Sequence, residues 1–130
     1  MRALALISWL CIAGVATAAE LPHERGVPDP CDATAWRTRV AATEKAVVES
    51  APFRVPAAVW RGSVRQACAV VVFTVDADGR AVAPELLAYS PNAVAGKAAL
   101  ETLSRYRFKA PSDGQHTLRF QLWRFGPERD

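Results

Sequence analysis

Residues 68–80 read CAVVVFTVDADGR, and how this stretch is read decides the fold. It opens on a cysteine, runs through apolar residues and closes on two aspartates and a glycine. Three chemistries compete for it: a reactive thiol, a metal loop, and the first half of a β-hairpin. Residues 70–75 are rich in β-branched side chains and include Phe73, the composition of a strand. Asp76-Ala77-Asp78-Gly79 then supplies residues that tolerate tight turns, with Gly79 able to take positive φ. A calcium loop shares the D-x-D-G start, but it needs further oxygen ligands ending in a bidentate glutamate. Arg80 and Ala81 follow instead, which favours the turn. The chain resumes apolar content over residues 80–89, closing a hairpin. Pro84 lies inside this second strand and cannot donate to a ladder, so the strand belongs at a sheet edge or at a bulge.

The cysteine is read through its compartment. Arg2 is followed by an apolar run to Val15, then by the small-x-small pattern Ala16-Thr17-Ala18, with Glu20 as the first acid. This is the layout of a secretory signal peptide, expected over residues 1–18. The alternative is an uncleaved anchor helix, for which the run is slightly short of the ~20 residues a bilayer needs. Ser8-Trp9-Leu10 before Cys11 lacks the small residues expected ahead of a lipidated cysteine. Cys11 leaves with the signal peptide, and Cys31 and Cys68 remain. An even pair in an oxidising compartment points to a disulfide and away from a free thiol.

The mature chain, about 112 residues of the 130, suits one domain with a modest core. Its excess positive charge is small: fifteen basic residues face thirteen acids once Arg2 is gone. Scattered basic residues and export argue against nucleic acid. Residues 19–32, with three prolines, read as an extended lead-in. Asp32 is a helix N-cap for an additional helix over residues 33–50, with Trp36, Val40, Thr43 and Val47 on one narrow face. Residues 51–126 form the main domain. Pro52 and Pro56 break the chain, and residues 57–65 can make two helical turns. Ser90-Pro91-Asn92 starts a helix over residues 93–106, with Gly96, Ala99, Leu100, Leu103 and Tyr106 on one face and Lys97, Glu101, Thr102 and Arg105 on the other. Residues 109–115 read as a loop. Residues 116–125 alternate, with Leu118, Phe120 and Leu122 facing one way and Thr117, Arg119, Gln121 and Trp123 the other.

The order helix, short helix, strand, strand, helix, strand predicts an α+β fold. The last strand pairs antiparallel beside the first, giving a three-stranded sheet of order 2-1-3 with residues 70–75 in the centre and the helices on one face. The sequence offers little for catalysis or zinc. His23, His116, Cys31 and Cys68 show no paired metal spacing, and no nucleophile elbow is present. His116 at a strand start reads as a solvated or hydrogen-bonded residue.

Taken together, VVVFTVDADGRAV, then YS, then AGKAALETLSRYRF with a proline after it, resembles the C-terminal domain of TonB-type energy transducers. Val71, Phe73, Val75, Gly79, Arg80, Val82, Ser90, Ala98, Ala99, Leu100, Tyr106, Phe108 and Pro111 match that pattern, and Val55-Pro56-Ala57-Ala58 is similar to its Tyr-Pro-x-x-Ala entry. The resemblance spans residues 55–125. Ala67 departs from the glycine usual before the first strand, and a full transducer adds a membrane anchor and a long periplasm-crossing linker. The resemblance implies a non-catalytic periplasmic module that binds a peptide or an envelope protein, an outer-membrane receptor among them. It does so by strand addition at the C-terminal strand, whose outward residues are Thr117, Arg119, Gln121 and Trp123. It implies no cofactor. A minimal membrane-anchored transducer and a homodimer formed through the same edge are the alternatives.

Overall fold

The computed structural model describes residues 26–60, 65–110 and 112–124. The signal-peptide expectation therefore lies outside the described residues, as do residues 61–64 of the expected second helix. In chain order the elements are α1 (Ala33–Ala46), β1 (Val47–Glu49), a 3-10 turn (Ala57–Val59), β2 (Gln66–Val75), β3 (Ala81–Ser90), α2 (Ala93–Leu103), β4 (Arg107–Phe108) and β5 (Ser112–Trp123). The main sheet has the order β3-β2-β5, with every pair antiparallel. The expected 2-1-3 order is thus observed, and Pro84 lies on an edge strand.

β2 is buried from Ala67 to Phe73 without a break, because both of its faces are covered. Ala69, Val71, Phe73 and Val75 pack with Ala99 and Leu103 of α2, Phe108, and Leu118 and Phe120 of β5. Val70, on the opposite face, packs with Trp36 and Val40 of α1. The two helices therefore sandwich the sheet, which corrects the expectation of helices on one face. Full burial of a side chain the size of Phe73 contributes about 1.5–3 kcal/mol, so the strand with two buried faces anchors both layers.

Local chemistry sets the ends of these elements. Asp32 caps α1 by accepting the Ala35 N–H (3.2 Å), and Asn92 caps α2 by accepting the Val94 N–H (3.1 Å). α1 stops at Ala46, short of the expected residue 50, because β-branched Val47 and Val48 turn into β1 and pair with β4. α2 likewise stops at Leu103, and residues 107–108 become strand. Neither short strand was expected, and residues 112–115 join β5 where a loop was expected. Thr102, placed on the polar side of α2, is buried and satisfies its hydroxyl by donating to the Ala98 carbonyl (2.9 Å).

The opening stretch ends in a turn. The Asp76 carboxylate accepts the N–H groups of Asp78 (2.8 Å) and Arg80 (3.0 Å). The Arg80 amide is the main reason its carboxyl titrates below the ordinary range. Gly79 sits at φ +80°, and a Cβ there would lie 2.5 Å from the Phe108 carbonyl oxygen. Its own carbonyl accepts the Phe108 N–H (2.8 Å). Only glycine permits this approach, which ties the hairpin turn to β4.

Candidate interaction surface

A three-stranded sheet leaves two edges, and here they differ. β3 departs from regular pairing twice, between its partners at Val70/Val71 and at Val72/Thr74. Ala83 takes φ +52° immediately before Pro84. Bulges and proline interrupt the row of N–H and C=O groups that another strand would need. β5 pairs with β2 without a register shift from Gln66↔Trp123 to Phe73↔His116. Over that span its outer side is a regular edge; the register shifts only toward the start of the strand, where Gly114 takes φ +82°.

The direction of the β5 backbone groups follows from two hydrogen bonds. The Arg124 N–H donates inward to the Arg65 carbonyl (2.8 Å). The Thr117 N–H donates away from β2, to the Thr43 hydroxyl of α1 (3.1 Å). Alternation along an antiparallel strand then turns the backbone groups of Thr117, Arg119, Gln121 and Trp123 outward. The same four side chains lie on the α1 face of the sheet. These are the residues singled out from the sequence, and they share both the edge and one face.

α1 closes part of this edge. Thr43 is buried and its hydroxyl also lies 3.4 Å from Nδ1 of His116, which stacks on Phe73 at 5.7 Å. His116 is thus a packed, hydrogen-bonded residue of the core margin. Beyond Thr117 the polar side chains form a chain of contacts. Arg119 donates to the Pro30 carbonyl (3.1 Å) and to Oε1 of Gln121 (2.8 Å), and Gln121 donates to Oε1 of Gln66 (2.8 Å). Half-burial lowers the Arg119 pKa, and Asp32, Glu44 and Asp29 act against that shift. Trp123, at the end of the strand, is 47% exposed.

The segment leading into α1 is held by the Cys31–Cys68 disulfide (S–S 2.04 Å). Trp36, fully buried, donates its indole N–H to the Asp29 carbonyl (2.9 Å). The expected cysteine pairing is therefore formed, and it fastens α1 over β2 and β5. Sequence reasoning missed Thr43 as the group that takes an edge amide. Its place on the Trp36–Val40–Thr43 face, where a polar residue joins an apolar stripe, was the available signal. Among the described residues no group of three or more histidine, cysteine or acidic side chains is placed to hold a metal ion. None of the described helices is long and apolar enough to cross a membrane.

The C-terminal domain of TonB from Pseudomonas aeruginosa, solved by solution NMR, is a structural neighbour of this chain. The two share 17% identity with a TM-score of 0.46, over 65% of this chain and 88% of that one. No family model and no curated protein matches the sequence.

Proposed function

We propose that this chain is an envelope interaction module that captures an extended segment of a peptide or protein partner by strand addition along β5. The observation that carries the reading is the contrast between the two sheet edges: β3 is broken twice, whereas β5 is regular from His116 to Trp123, with its one register shift confined to the start of the strand. Backbone hydrogen bonds to Arg119 and Gln121 supply the affinity in such an arrangement, and neighbouring side chains supply selectivity. Trp123 adds a large exposed apolar surface at the end of the strand, the type of side chain that anchors interfaces. The TonB-type pattern in residues 55–125 supports the same reading, and the disulfide suits an oxidising compartment.

The test uses proline as an edge blocker. The Gln121 N–H points away from β2, so Gln121→Pro removes an outward donor and leaves the β2–β5 ladder intact. Peptides selected on the wild-type protein from a displayed random library should lose binding to Gln121→Pro and keep it in Gln121→Ala. Circular dichroism confirms that both variants fold. Selected peptides that bind Gln121→Pro and wild type equally contradict strand addition at this edge.

A further inference from the structure

The opposite face of the sheet carries a second surface, away from the backbone groups of β5. Residues 53–56 cross β5 on the α2 side, where the Phe53 ring lies 5.5 Å from that of Phe120. Between this strap and α2 runs an open groove of about 790 Å³, within the usual size of a ligand site, about 300–1,000 Å³. Val55, Pro56, Val94, Ala98 and Leu100 make its apolar lining. Four charged side chains share it: Arg54 on the strap, and Lys97, Glu101 and Arg105 along α2 and its C-terminal turn. All four residues are exposed. Three cations against one acid leave the groove positive.

We infer that this groove binds a short acidic peptide segment of the pattern acidic-x-apolar-x-acidic. Lys97 lies on α2 and Arg105 in the turn after Leu103, where its Nη1 donates to the Glu101 carbonyl (3.3 Å); eight residues at a near-helical rise of about 1.5 Å put their Cα atoms roughly 12 Å apart. An extended chain places residues i and i+4 on one face about 13 Å apart. Two carboxylates at that spacing give each cation its own partner. Glu101 lies midway between them and repels a third acid. The residue at i+2 points into the groove at that level, where Ala98 and Leu100 offer apolar contact. Arg54, across the groove on the strap, adds a third positive charge. Interfacial charges of this kind set specificity and salt dependence more than raw affinity.

The probe is a capped, fluorescein-labelled Glu-Ser-Leu-Ser-Glu peptide, titrated with the full protein at low salt and read by anisotropy. The double variant Lys97→Glu, Arg105→Glu should weaken binding at least about tenfold. Glu101→Gln should hold or tighten it, and a Glu-Glu-Ser-Leu-Ser peptide should bind more weakly. A control pair, Arg37→Glu with Arg39→Glu on α1, should leave binding unchanged. Gln121→Pro should also leave it unchanged, because the β5 edge takes no part. Three results overturn the proposal: no binding to the wild type, equal loss in the α1 control, or loss in Gln121→Pro. Capture by phosphatidylglycerol vesicles that depends on Lys97 and Arg105, with no peptide binding, assigns the groove to a membrane surface and overturns it as well.

Discussion

The two edges of one sheet are built by opposite means. β3 protects itself within its own sequence: Ala83 at φ +52°, Pro84 and two register shifts deform the edge. β5 keeps regular geometry from His116 to Trp123, its one register shift falling before that span, and is covered there only in part, from outside, by Thr43 of α1. Protection written into a strand is permanent. Protection lent by a neighbouring helix depends on what holds that helix, here the disulfide and buried Trp36.

The largest expected effect comes from releasing α1. Replacing the disulfide by Cys31→Ser with Cys68→Ala opens a linkage of sequence separation 37. The loss should be about 3–4 kcal/mol in the chain-entropy treatment, measured by urea unfolding. Amide exchange at Val71 should accelerate only as far as that global loss, while Thr117 accelerates further as α1 lifts away. Equal acceleration at both would mean that the staple stabilises the fold as a whole and has no particular role at the β5 edge.

Thr43→Val is the more local change. It keeps the shape of a buried side chain and removes the acceptor of the Thr117 N–H. The cost should be about 1–2 kcal/mol from the unsatisfied donor, and the Thr117 amide should exchange faster. An unchanged exchange rate would place the protection of that amide elsewhere.

On the other edge, Ala83→Gly relieves a positive φ. Left-handed backbone costs alanine about 1–2 kcal/mol, while glycine gives back about 0.5–1 kcal/mol in unfolded-state entropy. A gain of between zero and about 1.5 kcal/mol is expected, and a loss would mean that the alanine methyl supports the bulge. The smallest effect concerns Asp76, at the turn between β2 and β3. Its folded pKa lies below the unfolded value near 3.9. The stability it contributes is therefore present above that value and lost as pH falls through the folded pKa. A carboxyl titration by NMR should find its midpoint below the ordinary range, and Asp76→Asn should remove that part of the acid sensitivity.

The strand at residues 70–75, the turn, the edge proline, the disulfide and the sheet order were all legible in the sequence. Each rests on a local rule or on simple connectivity. The second covered face of β2 was missed although its sign was present. The run from Ala67 to Phe73 is apolar at every position, and a strand with one solvated face alternates. β1 and β4 were not legible, because each is only two or three residues long and forms only when the turn at Gly79 brings Phe108 into place. The outward residues of β5 could be listed from alternation, but the cover over Thr117 depends on where a helix docks more than seventy residues away in sequence.

The central claim is that β5 accepts a partner strand. It is tested most directly by amide exchange with and without a peptide selected on the wild-type protein. Strand addition predicts that the N–H groups of Arg119 and Gln121 slow markedly on binding, while those along β3 from Ala81 to Glu85 keep their rates. Tight binding that leaves Arg119 and Gln121 unchanged would contradict it.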